Sequence, residues 1–240
     1  MRAVSVRERP DVSERAWELT RDTLPEYNNH GDVLDIYWPR LLPELPDFQF
    51  HLLDDGDEPV ARARTIPVRW DGTPGDLPAG IDGAIVRGFE DGAAPNTLCA
   101  LIAQVAPTRQ GEGLSRLVLE AMVELGRAHG LRALIAPVRP NWKDRYPLTP
   151  IERYAYWTRD DGLPSDPWMR VHARFGAEIL KPEPRSLHIT GTVDEWQEWT
   201  EMVFPEDGEY VFPGGLAPLT VRNGRGEYWE PNVWMLHAVG

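Results

Sequence analysis

The sequence predicts an α/β fold built around one β-α-β unit, and three observations predict it. NTLCALIAQVAP at 96–107 is an apolar run bounded by turn residues, as in a strand buried on both faces. From Gly113 to His129, the residues Leu114, Leu117, Val118, Ala121, Met122 and Leu125 fall on one helical stripe, and Gly130 stands where such a helix stops. LRALIAPV at 131–138 is a second buried strand. Strand, glycine turn, amphipathic helix and strand in direct succession make the unit.

The other elements follow in chain order. Residues 11–24 open on Asp11 and Ser13 as helix caps and place Ala16, Trp17 and Leu19 at helical spacing; 31–43 offers a second helix. Pro39, Pro43 and Pro46 close this arm. FQFHLLD at 48–54 reads as a strand, DGDEP as a turn, and VARARTIPVRW at 60–70 as the returning strand of a hairpin. A Gly- and Pro-rich loop at 71–82 leads to AIVRGF at 84–89, read as a short strand. Beyond the central unit, SLHITGT at 186–192 alternates as a strand and VDEWQEWTEM at 193–202 suggests a helix. Residues 209–239 then read as short strands around Pro213-Gly214-Gly215 and Asn223-Gly224. With no repeat of fixed period, the 240 residues are read as one domain. It comprises a helical N-terminal arm at 1–47, a core at 48–192 with an insertion at 142–170, and a C-terminal helix and strands at 193–240.

Composition narrows the function. A net charge of -13 argues against broad nucleic-acid binding, which needs clustered basic residues, so an anionic ligand must be held locally. Cys99 is the lone cysteine, which excludes an intrachain disulfide. The histidines at 30, 51, 129, 188 and 237 lack paired ligand spacing, so no metal is expected. No apolar run approaches the roughly 20 residues of a membrane span, and MRAVSVRERP lacks the apolar centre of a secretory signal; the expected setting is the cytoplasm. Lysine occurs only at 143 and 181 among many arginines, which with abundant Ala, Gly and Pro suggests a GC-rich bacterial genome.

The chemistry centres on Gln110-Gly111-Glu112-Gly113-Leu114-Ser115, between the first strand and its helix. A helix start exposes unpaired amides and the positive end of the helix dipole, and glycine lets an anion approach the backbone. A dinucleotide fingerprint would need glycine where Arg116 stands, no Gly-Lys-Ser/Thr of a phosphate loop occurs, and Ser115 lacks the following glycine of a hydrolase elbow.

Gln110, Gly113 and Ser115 resemble the Gln/Arg-x-x-Gly-x-Gly/Ala signature of the GNAT acetyltransferases, with Ser115 departing from the usual final residue. The preceding strand and Pro107, the leucine-rich helix, the next strand and Asn141 just past it agree with that pattern, over about 48–192. The resemblance implies a mixed, mostly antiparallel central sheet flanked by helices and splayed at an acyl-CoA site. Its co-substrate would be acetyl-CoA or another acyl-CoA, with no metal. It implies that the backbone of Gln110, Gly111, Glu112, Gly113, Leu114 and Ser115 holds the pyrophosphate. Ala103, Gln104 and Val105 would pair with the pantetheine arm, and Asn141 would border it.

HARFGAEIL at 172–180 resembles the family segment in which a tyrosine protonates the departing thiolate; His172 stands at that place and titrates near neutral pH. The strand before the turn has no carboxylate, and Gln104 cannot take a proton. A base would come from Glu152, Asp160, Asp161, His172 or the C-terminal segment. In the insertion, Trp142, Tyr146, Tyr154, Tyr156, Trp157 and Trp168 offer aromatic walls, with Tyr154 a second proton source, and Asp160 and Asp161 suit a cationic acceptor. The implied activity is N-acetyl transfer to a small amine. Transfer to a thiol, decarboxylation of an acyl-CoA, and a noncatalytic CoA-binding or interaction module remain alternatives.

Overall fold

A computed structural model describes residues 1–239. Nine strands form one sheet: β1 (Arg2–Ser5), β2 (Gln49–Leu53), β3 (Pro59–Val68), β4 (Thr97–Val105), β5 (Ala133–Val138), β6 (Glu178–Thr192), β7 (Gly208–Tyr210), β8 (Leu219–Arg222) and β9 (Arg225–Ala238). The helices are α1 (Ser13–Thr20), α2 (Leu34–Tyr37), α3 (Leu41–Glu44), α4 (Gly80–Glu90), α5 (Leu114–Ala128), α6 (Ile151–Tyr154), α7 (Pro167–Arg174) and α8 (Val193–Thr200). The strand order is β1-β2-β3-β4-β5-β9-β8-β7, with β6 also paired to β9. Only β4 and β5 run parallel, joined by the α5 crossover; every other pair is antiparallel.

Both faces of the central strands are buried, which is why the sequence there is apolar without alternation. Ala61 and Ala63 of β3 and Leu98 and Ala100 of β4 pack with Leu114, Val118, Leu119 and Met122 of α5. On the opposite face, Ile66, Val68, Cys99 and Leu101 meet Ala84 and Ile85 of α4 and Leu41 of the arm. A third cluster, of Tyr27, Trp196, Phe212 and Tyr228, joins α8 to the C-terminal strands.

Five expectations are corrected. Residues 84–89 are helical, within α4: Ile81, Ala84, Ile85 and Phe89 repeat at helical spacing, a period that a six-residue window hides. The arm is not purely helical, because β1 pairs with β2. Its second helix is broken into α2, a 3-10 turn at Trp38–Arg40 and α3, with Pro39 and Pro43 interrupting the backbone bonds. The strands of 209–239 are not all short, since β9 spans 14 residues through Pro231; the strand read at 186–192 likewise starts earlier, as β6 spans 15 residues through Pro182 and Pro184, with register shifts in the β6–β9 pairing.

Candidate active site

The central cleft begins where two parallel strands part. β4 and β5 pair only from Thr97–Ala133 to Cys99–Ile135. Beyond that point β4 stays bonded to β3 and β5 to β9, so the facing edges of 100–105 and 136–138 are unpaired with each other. A register shift at Arg64/Thr65 in β3 marks the bend. The gap widens into a cleft of about 1000 Å³ that crosses the sheet from the α5 face to the arm face.

At the α5 end, a 3-10 turn at Pro107–Arg109 leads into the glycine turn. Gly111 and Gly113 have φ of +86° and +78°, left-handed values that favour glycine, and a Cβ at either would meet nothing within 4 Å. Gly113 caps α5 with no side-chain bond, so the first amides of a 15-residue helix have no side-chain partner. The cleft is lined by Ala103, Gln104 and Val105 on β4, by Gln110, Gly111, Leu114 and Ser115 at the turn, and by Asn141 beyond β5. Glu112 and Gly113 lie outside the lining, and the exposed Glu112 carboxylate is held by Arg109 at 2.9 Å.

The three residues expected to carry chemistry fare differently. His172 lines the cleft, but it is 2 % exposed and its Nδ1 lies 2.9 Å from His237 Nε2. Burial first, and His237 second, lower its pKa to about 3, so the ring is neutral at pH 7 and does not titrate near neutral pH as the sequence reading expects. Its Nε2 is buried without a partner. Tyr154 lies off the cleft: its hydroxyl donates to Asp166 Oδ2 at 3.0 Å, and its ring packs with Tyr146 and Trp157. Burial, then the Asp166 carboxylate, raise its pKa. Asp161 is exposed and accepts a bond from its own turn at Leu163 N, again off the cleft. Tyr154 is buried in the α5-side core, with Trp157 and Trp168 packed against that core, while Trp142, Tyr146 and Tyr156 are exposed; of these six aromatic residues only Trp168 lines the cleft. Glu152 and Asp160 are also outside the lining.

No family model matches the chain. Among curated proteins, it is 28% identical to the arginine N-acetyltransferase avaD of Aspergillus versicolor over 267 residues, covering 96% of this chain and 91% of avaD. Among solved structures, the loading GNATL domain of CurA from Lyngbya majuscula shares the fold with a TM-score of 0.61 at 17% identity, over 99% of this chain and 96% of that one. The GphF GNAT-like decarboxylase, in complex with isobutyryl-CoA, matches with a TM-score of 0.60 at 16% identity over 100% of both chains. The chain therefore shares its fold with GNAT proteins and is similar in sequence to an N-acetyltransferase.

The arm-side half of this cleft is built from residues that sequence reasoning missed. Trp17, Asp22, Glu26, Asn28, Asp35 and Trp38 come from the arm, and Glu230 and Asn232 from β9. Glu230 is 2 % exposed and accepts four bonds: Tyr27 Oη at 3.0 Å, Tyr228 Oη at 2.8 Å, Asn28 Nδ2 at 3.0 Å and Arg139 Nε at 2.5 Å. Burial alone would lower the Arg139 pKa, but the Glu230 carboxylate outweighs it and raises it. A carboxylate so fully engaged orients its neighbours and has little capacity left to collect a substrate proton. Asp22, Glu26 and Asp35 are exposed and lend the arm side of the cleft negative charge. No sequence pattern linked these residues to the glycine turn; only the long-range packing of the arm on β3, β4 and β9 does. No group of three His, Cys, Asp or Glu among the described residues could hold a metal ion.

Proposed function

We propose that this chain transfers an acyl group, most simply acetyl, from acyl-CoA to the amine of a small cationic acceptor. The observation that carries the reading is the cleft between β4 and β5: it runs from the uncapped start of α5 to a carboxylate-bearing arm, and so offers an anionic donor and a cationic acceptor opposite ends. The arginine N-acetyltransferase relative supports an amine acceptor.

The fit to an acyl-CoA is chemical. The glycine turn offers backbone amides in open space to a pyrophosphate, and the unpaired β4 edge at 103–105 offers amide and carbonyl groups to a pantetheine arm. Leu114, Leu119 and Met122 give it an apolar wall. The amine nitrogen attacks the thioester carbonyl, the N–C bond forms and the C–S bond breaks, and the proton lost from nitrogen balances the charge of the departing thiolate. No carboxylate stands on β4, and the acceptor's proton passes to water or to the exposed carboxylates of Asp22, Glu26 and Asp35 at the arm end of the cleft.

His172 acts as a neutral donor. In the tautomer where His237 Nε2–H donates to His172 Nδ1, the unpartnered Nε2 of His172 carries the other ring hydrogen; this atom is buried behind the cleft wall, so a shift of the ring must bring it to the developing sulfur anion. The proposal sets the reaction in a bacterial cytoplasm, which the arginine-biased composition and lone cysteine support. No helix among the described residues is long and apolar enough to cross a membrane.

The test is a screen of acetyl-CoA and malonyl-CoA against small amines, following thiol release and acylated product together. Acylated amine with stoichiometric CoA supports the reading. Carbon dioxide from malonyl-CoA without any amine would point to decarboxylation, and binding of CoA without turnover would point to a noncatalytic module.

A further inference from the structure

Two arginines in the cleft are withdrawn from water, and only one has an anion beside it. Arg139 has Glu230. Arg62, in the middle of β3, is 4 % exposed, and no carboxylate of the described residues lies within 4.0 Å of it. Its Nε donates to Gln104 Oε1 at 2.7 Å and its guanidinium lies over the Trp17 ring, 4.4 Å from the centroid. Among the described residues neither Nη group has a hydrogen-bond partner, and neither is fully buried, so both stay open to the cleft. Burial, and then neighbouring Arg64, lower its pKa to about 9, the opposite of what Glu230 does for Arg139. Arg64 is buried on the same face, donates to the Ala63 carbonyl and lies off the cleft, so it adds positive potential without reaching a ligand. Burying an unpaired ion is costly, so such a charge marks a place that an anion completes.

The position of Arg62 says which anion. Gln104, which holds it, donates to Thr23 Oγ1 at 2.6 Å and to the Thr20 carbonyl, both on the arm. Arg62 therefore points to the arm face, across the sheet from α5 and the glycine turn where the donor's phosphates fit. The anion arrives with the acceptor.

We propose that Arg62 binds a carboxylate of the acceptor, so that the acceptor is an amino acid with a cationic side chain rather than a simple amine. This rests on the acyl-transfer reading above. The planar guanidinium, with two free Nη groups and a fixed Nε, is preorganised for two parallel bonds to a carboxylate. Asp22, Glu26 and Asp35 on the same side supply the complementary charge for the side chain. Charge is thereby read at both ends of the acceptor.

L-arginine and L-argininamide are a suitable probe pair, because they differ only at the carboxylate. Titrated calorimetrically into the CoA-loaded chain, arginine binds at least about tenfold more tightly than its amide, as loss of a charged hydrogen-bonded pair requires. Arg62→Gln brings arginine down to the affinity of the amide and leaves argininamide and CoA binding unchanged; Arg62→Lys restores part of the preference. Equal binding of the two probes by the wild type, or binding of neither, overturns the proposal. So does a loss of CoA affinity in Arg62→Gln, which would give the anion to the donor. The two readings fail separately. Acyl transfer to argininamide and arginine at equal kcat/KM would sink the carboxylate hook alone, whereas Arg62-dependent arginine binding without acyl transfer to any amine would sink the transferase reading alone.

Discussion

Replacing His172 with phenylalanine should make the protein less stable at pH 7.5 and more stable at pH 5. In the folded chain His172 is 2 % exposed, and burial and His237 lower its pKa from 6.5 to about 3. A group with a depressed folded pKa contributes stability that is whole above its unfolded value and is lost as pH falls toward its folded one. At pH 5 the unfolded histidine holds a proton that the folded one does not, about 1.5 units below 6.5, which costs about 2 kcal/mol. Phenylalanine removes that cost. It also leaves His237 Nε2 without its partner at 2.9 Å, a loss of about 1 kcal/mol at either pH. The variant should thus trail the wild type by about 1 kcal/mol at pH 7.5 and lead it by about 1 kcal/mol at pH 5. Urea denaturation at the two pH values, extrapolated linearly, measures both. The contribution of His237, whose own pKa is lowered to about 4 by burial, is common to both proteins to first order. A wild-type-to-variant difference that does not change with pH would refute the assignment of His172 as a buried neutral imidazole.

Further outcomes follow from the same contacts. Glu230→Gln strands Arg139 without its anion and should cost about 3 kcal/mol or more in denaturant titration, and a loss under 1 kcal/mol would show the pair to be solvated. Tyr154→Phe removes one bond to Asp166, the N-cap of α7, and should cost about 1 kcal/mol in stability while leaving turnover unchanged; a large fall in kcat with the fold intact would return Tyr154 to the reaction. Asp161→Asn, at an exposed turn off the cleft, should change neither stability nor kcat/KM, and a drop in kcat/KM confined to cationic acceptors would contradict that placement.

Much of the fold was legible because its signals are local. The apolar run of β4, the stripe of α5 and the glycines at 111 and 113 each declare themselves within a dozen residues, and together they specify the parallel crossover. The long strands were harder to read because Pro182, Pro184 and Pro231 break the pattern that marks a strand. The segment 84–89 was misread because its helical period shows only once Ile81 and Phe89 are included. At the site, the turn end of the cleft declares itself in local sequence, through Gln110 to Ser115. The arm end does not: Trp17, Arg62 and Glu230 are brought together by tertiary packing across more than half of the chain. His172 stood where the family pattern placed a proton donor, but its neutral state comes first from burial and then from His237, 65 residues away, and no local pattern shows either.

The most direct test of the central claim is calorimetric titration of acetyl-CoA into the wild type, Gly111→Ala and Gly111→Glu. Gly111 lines the cleft with φ of +86°, and a Cβ there meets nothing within 4 Å. Alanine therefore adds only backbone strain, about 1 kcal/mol, whereas glutamate adds bulk and negative charge at the proposed pyrophosphate site. The account predicts that the wild type binds, that Gly111→Ala binds within about tenfold of it, and that Gly111→Glu, folded by circular dichroism, binds at least about 100-fold more weakly. A folded Gly111→Glu that binds acetyl-CoA as tightly as the wild type, or a wild type that binds none, would contradict it.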